Sequence, residues 1–448
     1  MNRDNNVLIA AFATVAAVIV SVIFPETAAA IVVVAGTSAV CLVLLRLNTE
    51  EKDFITKLFF AALVLRLAFG LVVHYYGMRE FFGGDATQYD RIGARLVDYW
   101  FGLIPPTDLD IARATSTSGP GWGMFYLTGF IYLITGKNVL AAQSFCGVIG
   151  AATAPLVYFC TQKIFHNRRS AKVAAICIAV FPAFVIWSSQ LLKDGLIIFL
   201  LVLAVVMVMN LQERFSYPAV VVLVLSLFGI ISLRFYIFYM VGIAVAGSFI
   251  IGVSNSIPSI IRRSIVLVLM GLGLTYIGAL RNAGEAFEKY GDLQKVQNSR
   301  LDLARSAQSG FGQDIDVSTP EGAISAIPVG FTYLMLAPFP WQMANFRQLI
   351  TLPEVLAWWA MIPLMISGIW YAVKYKLRSA FPILIFSLLL TLAYSIFQGN
   401  VGTAYRQRTQ IQVFLFIFIG VGWTIYKERR EDKKLARRIQ DRHIERHL

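Results

Sequence analysis

The length of the apolar stretches constrains this chain more than any motif does. VLIAAFATVAAVIVSVIF (7–24) and LIIFLLVLAVVMVM (196–209) carry no charge, and about 20 apolar residues in helical form cross a bilayer. Backbone amides find no water at that depth, so each stretch must close its own hydrogen bonds as a helix. Of the 448 residues, 57% are hydrophobic and 15% charged, against about 25% charged in soluble domains. The chain reads as an all-α polytopic membrane protein. The segment 7–24 is followed at once by a second apolar run, with Ala28–Ala30 inside that run. It therefore reads as a retained helix, not a cleaved signal peptide.

Apolar runs place twelve spans, at 7–24, 27–46, 55–77, 138–160, 171–189, 194–211, 217–233, 235–253, 264–280, 355–373, 380–397 and 408–426. The net charge of +13 is gathered at span ends: Arg46/Lys52/Lys57, Lys163/Arg168/Arg169/Lys172, Arg262/Arg263, Lys374/Lys376/Arg378 and the tail from Lys427. That distribution is the positive-inside pattern of cytoplasmic loops and argues against a nucleic-acid partner. It predicts both termini in the cytoplasm; the plasma (inner) membrane is the expected location. GWGMFYLTGFIYLITG (121–136) and IPVGFTYLMLAPFPWQM (327–343) are short and broken by Gly129 or by Pro338 and Pro340. If either crossed alone, the later basic loops would change sides, so both are expected to be re-entrant or interfacial.

This divides the chain into 1–54 (two N-terminal spans), 55–280 (a module holding the outer loop 78–137), 281–354 (a second outer loop with an amphipathic stretch), 355–426 (C-terminal spans) and 427–448 (a basic tail). No internal repeat is visible, which weighs against repeat-built transporters. Cys41, Cys146, Cys160 and Cys177 lie in apolar segments without CxxC spacing, and the four histidines are scattered. No metal or disulfide framework is indicated.

Polar residues concentrate on the outer side. In FFGGDATQYDR, Asp85 opens a stretch that places Tyr89, Ile92, Leu96 and Trp100 at helical spacing, with Arg91, Arg95 and Asp98 opposite. That predicts an amphipathic helix in the interface plane. Asp85 then reads as its N-cap, with Gln88 completing a capping box, or as a general base at the mouth of a cavity. Lys193 and Asp194 start a span; Lys193 is placed to meet a phosphate, and Asp194 a sugar hydroxyl or a metal. As plain structure they are a snorkelling lysine and a helix-start acid. Arg234 lies among Phe235, Tyr236 and Tyr239, and Arg406 and Arg408 begin the last span in TAYRQRTQ. Arginine matches phosphate geometry. Four cations at non-cytoplasmic helix ends call for an anionic partner, and a lipid phosphate is the obvious one. Arg66, midway along a span, is expected to face a cavity or pair with a carboxylate.

GGDATQYD after a span, SGPGWGMFYLTGFIYLITG before the next, AAQSFCGVIGAATAPLVYFCTQKIF with its basic loop, and FPAFVIWSSQLLKDG together resemble the membrane-embedded GT-C glycosyltransferases, chiefly over 55–215. Protein O-mannosyltransferases and the lipid A aminoarabinose transferase belong to that group. The resemblance implies a GT-C-like fold and a polyprenyl-phosphate-sugar donor. It implies a lipid, glycan or protein acceptor on the outer face, and Asp85 as base. Arg406, Arg408, Lys193 and Arg234 would hold the donor phosphate, with Tyr89 and Asp194 against the substrate. Two features depart from the family: two additional N-terminal spans, and Ala86 where an acidic residue usually follows the first Asp. The second weakens any claim that Asp85 binds a divalent metal; chemistry allows one, but no cofactor is indicated. Two other readings stand beside it. One is an O-antigen or exopolysaccharide polymerase or ligase using polyprenyl-diphosphate glycans, which the Arg406/Arg408 pair suits. The other is a lipid or anion transporter without covalent chemistry.

Overall fold

A computed structural model of the chain describes residues 22, 24–82, 84–116, 121–251, 256–290, 292–305, 309–343 and 346–447. Among these there are nineteen α-helices and no β-strand. In chain order they are α1 (Glu26–Leu47), α2 (Lys52–Tyr75), α3 (Arg79–Phe82), α4 (Asp85–Trp100), α5 (Leu109–Thr115), α6 (Trp122–Thr135), α7 (Val139–Phe165), α8 (Arg168–Val180), α9 (Pro182–Ser188) and α10 (Lys193–Glu213). There follow α11 (Tyr217–Leu233), α12 (Phe235–Ile251), α13 (Ile257–Tyr276), α14 (Ala279–Tyr290), α15 (Leu293–Arg305), α16 (Pro320–Leu336), α17 (Phe346–Tyr375), α18 (Leu377–Phe397) and α19 (Val401–His447).

Eight helices are long and apolar enough to cross a membrane: α1, α2, α7, α10, α13, α17, α18 and α19. The expected span 171–189 is the bent pair α8–α9, turning by 54°. The expected spans 217–233 and 235–253 are the 17-residue helices α11 and α12. The segment 7–24 falls almost wholly outside the described residues. The tail joins the last span in one helix of 47 residues. At 1.5 Å per residue it is about 70 Å long, over twice a bilayer's hydrocarbon thickness. The amphipathic stretch of the second loop divides into α14 and α15.

The break between α8 and α9 explains Arg66. Pro182 has no amide hydrogen, so the carbonyl of Ile178 loses its helical donor. Arg66, 1% exposed, supplies one from α2: its guanidinium donates to Ile178 O at 3.2 Å, Ala179 O at 3.0 Å and Ser188 Oγ at 2.8 Å. In place of a cavity or a carboxylate, Arg66 meets these freed backbone and hydroxyl oxygens, which is how a broken helix is satisfied away from water.

Helices α17 and α19 cross closely through glycine. A Cβ on Gly422 would stand 2.0 Å from Leu364 O, and one on Gly368 1.9 Å from Phe418 O. Small residues allow this approach between membrane helices.

Each end of the bundle carries its own set of ion pairs. At one end Glu213 closes α10 against Lys163 at 3.0 Å, Arg168 and Lys172 pair with Glu50 and Glu51, and Arg169 reaches Glu431 on α19 at 3.3 Å. The basic clusters near 52, 163–172 and the tail therefore meet. The first turns of α4, α10 and α19 and the joint between α11 and α12 gather at the opposite end.

Candidate functional site

At that opposite end, α4 begins at Asp85 itself. Gly84 precedes it with helical angles (φ −68°, ψ −5°) and no side chain caps the helix. The expected N-cap is therefore corrected, and so is the capping box. Gln88, with its amide oxygen oriented to accept, lies 2.7 and 3.1 Å from the Arg113 guanidinium. Gly83 of the GGD motif lies outside the described residues. The Asp85 carboxylate reaches across to Arg406, with Oδ2 2.9 Å from Nη1.

Arg406 also faces a second carboxylate, through a single oxygen. Its Nε and Nη2 stand 2.6 and 2.5 Å from Asp194 Oδ2. Asp194 lies in the first turn of α10, where the helix dipole favours an acid, and is 0% exposed. Its Oδ1 faces Arg234 Nη2 at 3.3 Å and Gln410 Nε2 at 3.5 Å. Arg234 occupies the extended joint between α11 and α12 and packs over the Tyr236 ring at 5.8 Å. Arg406 stands over the Trp187 ring at 5.5 Å. Four helical segments distant in sequence thus converge on one ionic cluster.

This corrects two expectations. The cations are not all unpaired, because Arg234 and Arg406 share Asp194. Asp194 is an interior counter-ion, not a rim residue open to a sugar hydroxyl or a metal. Taking charges out of water costs several kcal/mol each, and only close, multiply hydrogen-bonded geometry of this kind offsets it. Lys193 differs: among the described residues no carboxylate lies within ion-pair distance of it. Its Nζ is 3.1 Å from the position a Cβ would take on Gly121, which has φ +77°. The Tyr89 hydroxyl is 3.8 Å from the same point. A side chain at Gly121 would meet both, so glycine keeps this corner open. Burial, reinforced by the Asp85 charge, raises the Tyr89 phenol above its ordinary range; it remains a hydrogen-bond donor at neutral pH.

The group holds three cations, Lys193, Arg234 and Arg406, against two carboxylates. Asp194 is sealed, while the Asp85 side chain is 45% exposed. The exposed carboxylate, the bridging guanidinium and the unmatched ammonium are the parts available to a ligand.

Arg408 does not belong to this group. It is 0% exposed and donates from Nη1 to Met335 O at 3.0 Å and Ala337 O at 2.9 Å, between the rings of Tyr405 and Trp358. Residues two apart on an α-helix point about 200° from each other, so Arg406 and Arg408 cannot serve one site. Its expected phosphate role is replaced by holding the end of α16. The same arithmetic identifies a residue that the sequence reading passed over: Gln410 lies four positions after Arg406, on the same face.

The loop beneath α4 is tied by charge. Tyr132 donates to Asp90 Oδ1 at 2.7 Å, Arg91 pairs with Asp110 at 3.1 Å, and Arg95 pairs with Asp108. Among the described residues no three His, Cys, Asp or Glu side chains converge to hold a metal ion. Neither models of known protein families nor curated proteins match the chain.

Proposed function

We propose that the protein is a GT-C-like glycosyltransferase with twelve spans. It moves a sugar from a polyprenyl-phosphate carrier to a lipid, glycan or protein acceptor at the outer face of the plasma membrane. One observation carries the reading. Asp85, half-exposed and held 2.9 Å from Arg406, shares a cluster with Arg234 and Lys193 in which cations outnumber carboxylates. An acid alone would be structural, whereas an acid beside excess positive charge suits a reaction that removes a proton and releases a phosphate.

In this reading the acceptor oxygen attacks the anomeric carbon and gives its proton to Asp85. The bond between that carbon and the phosphate oxygen breaks, and its electron pair leaves with the polyprenyl phosphate. Arg406 and Lys193 stabilise the charge as it grows on the phosphate, where fixed donors contribute most. Arg234 and Asp194 hold Arg406 in position. Arg408 drops out of the phosphate set, and with it the arginine pair that suited the polymerase or ligase reading.

The test is turnover with labelled polyprenyl-phosphate sugars. Arg406→Ala is expected to lower it about a hundredfold or more, since removing one such donor costs about 2.7–4 kcal/mol in the barrier. A loss of only severalfold in folded protein would exclude the phosphate role.

A further inference from the structure

A second group of charged side chains lies where α2 ends and the chain leads into α4. Helix α2 closes in a left-handed turn: Gly77 has φ +64°, and the amides of Gly77 and Met78 return to His74 O at 3.3 Å and Val73 O at 2.9 Å. A glycine just past a helix end satisfies the last carbonyls in this way. The turn brings Arg79, the first residue of α3, against the ring of His74 in the last turn of α2. Arg79 Nη2 stands 2.7 Å from His74 Nδ1. A guanidinium only donates, so Nδ1 accepts and carries no hydrogen. The hydrogen of the neutral ring then sits on Nε2, which faces Glu26 Oε1 of α1 at 3.6 Å. Beyond the ring, Arg79 Nη1 lies 3.8 Å from Asp90 Oδ2 of α4, and Asp90 Oδ1 accepts from Tyr132 of α6 at 2.7 Å. One arginine thus straps α4 to the end of α2, and the strap holds only while His74 offers a lone pair.

Acid removes that lone pair. Protonation puts a hydrogen on Nδ1, and an imidazolium has no acceptor left. Two donors that are both cations do not stay 2.7 Å apart, so Arg79 must leave the ring. Each separated cation has a carboxylate at hand: Glu26, half-exposed, for the imidazolium, and Asp90 for the guanidinium. Among the described residues the charged groups facing the pair are Glu26 and, behind Arg79, Asp90. The neighbours from other directions are uncharged. Tyr75 meets the His74 ring edge-on at 5.1 Å, and Asn138, at the start of α7, donates to the Glu26 backbone oxygen at 2.7 Å.

The strap acts on the helix that presents Asp85. Asp85 and Asp90 are five residues apart on α4, about 7.5 Å along its axis. The first is tied to Arg406 at 2.9 Å and the second to Arg79 and Tyr132. We infer that Glu26, His74, Arg79 and Asp90 form a proton-operated latch: neutral His74 holds Arg79 between α2 and α4, and protonated His74 turns to Glu26 and frees α4 from α2. An effect of the latch on sugar transfer rests on the proposed function; the latch itself does not.

Two measurements on the full-length protein in nanodiscs, both without substrate, test it. NMR with 15N-labelled histidine reads the ring, and the His74→Asn spectrum identifies its signal among the four histidines. At pH 8 the expected His74 carries hydrogen on Nε2 alone, and at pH 5 on both nitrogens. Hydrogen exchange reads the strap, each rate being divided by that of the unfolded chain at the same pH. In wild type, protection over residues 85–92 should fall about tenfold or more from pH 8 to pH 5, the equivalent of one hydrogen bond to a charged group. His74→Asn keeps an acceptor near the place of Nδ1 and does not titrate, so its protection should stay constant. Arg79→Met lacks the donor, and its protection should be low at both pH values. Hydrogen on Nδ1 at pH 8 overturns the latch, as does a ring still neutral at pH 5. Wild-type protection that is the same at both pH values overturns it too. An equal fall in wild type and His74→Asn would assign the change to the carboxylates and overturn it as well. Because no sugar carrier is present, none of these outcomes depends on whether the protein transfers sugar.

Discussion

Asp194→Asn is the substitution that most sharply tests the ionic cluster. The change is isosteric, so its effect is electrostatic. The wild-type carboxylate is 0% exposed and receives Arg406 at 2.5 and 2.6 Å and Arg234 at 3.3 Å. Neutralising it leaves both guanidinium groups and Lys193 with only Asp85, whose side chain is 45% exposed. Breaking a buried pair by removing one partner costs about 3–5 kcal/mol. With about 2 °C per kcal/mol for a large domain, thermal unfolding of purified protein should come about 6–10 °C earlier. Asp85→Asn is the internal control. It removes a single, half-exposed contact, for which about 1 kcal/mol or less is expected, hence about 2 °C. The two shifts, measured by loss of the monodisperse species in one detergent, should differ severalfold. Added salt should change the Asp194 effect little, because buried charges are weakly screened. Equal shifts, or an Asp194→Asn protein as stable as the wild type, would refute the interior counter-ion.

Two further outcomes follow from the packing. Arg66→Met should leave Ile178 O and Ala179 O without their side-chain donor, costing about 2–6 kcal/mol at about 1–3 kcal/mol for each buried group; early unfolding together with protease cleavage at the α8–α9 break would show it. Gly422→Ala places a methyl 2.0 Å from Leu364 O, backbone that cannot move aside without parting α17 from α19. Overpacking of that kind costs about 1–3 kcal/mol, and an unfolding temperature equal to wild type would contradict the close crossing.

How legible these features were depended on the physics behind each. The long apolar runs announced α2, α7, α10 and α19 because a bilayer demands about twenty apolar residues of any crossing helix. The amphipathic period of α4 was equally plain, and Tyr89, Ile92 and Leu96 are all buried. The grouping of Asp85, Lys193, Arg234 and Arg406 at one end came from charge placement along the chain. What sequence could not supply was the pairing inside the group. Asp194 looks like an ordinary helix-start acid until the fold brings Arg406 to it from 212 positions away. Arg66 looked like a residue facing a cavity or pairing with a carboxylate, because a break made by Pro182 in another helix is invisible at position 66. The Arg406/Arg408 error was avoidable, since the rise and turn of a helix already separate those side chains.

The central claim is that Asp85 removes a proton in a sugar transfer. Its most direct test gives pure wild-type and Asp85→Asn protein, both shown to fold, the same radiolabelled polyprenyl-phosphate sugars and a lipid extract of the host. The account predicts a new glycosidic product from the wild type and none above background from the variant. Undiminished transfer by Asp85→Asn, or label that crosses the bilayer without forming a glycosidic bond, would contradict it.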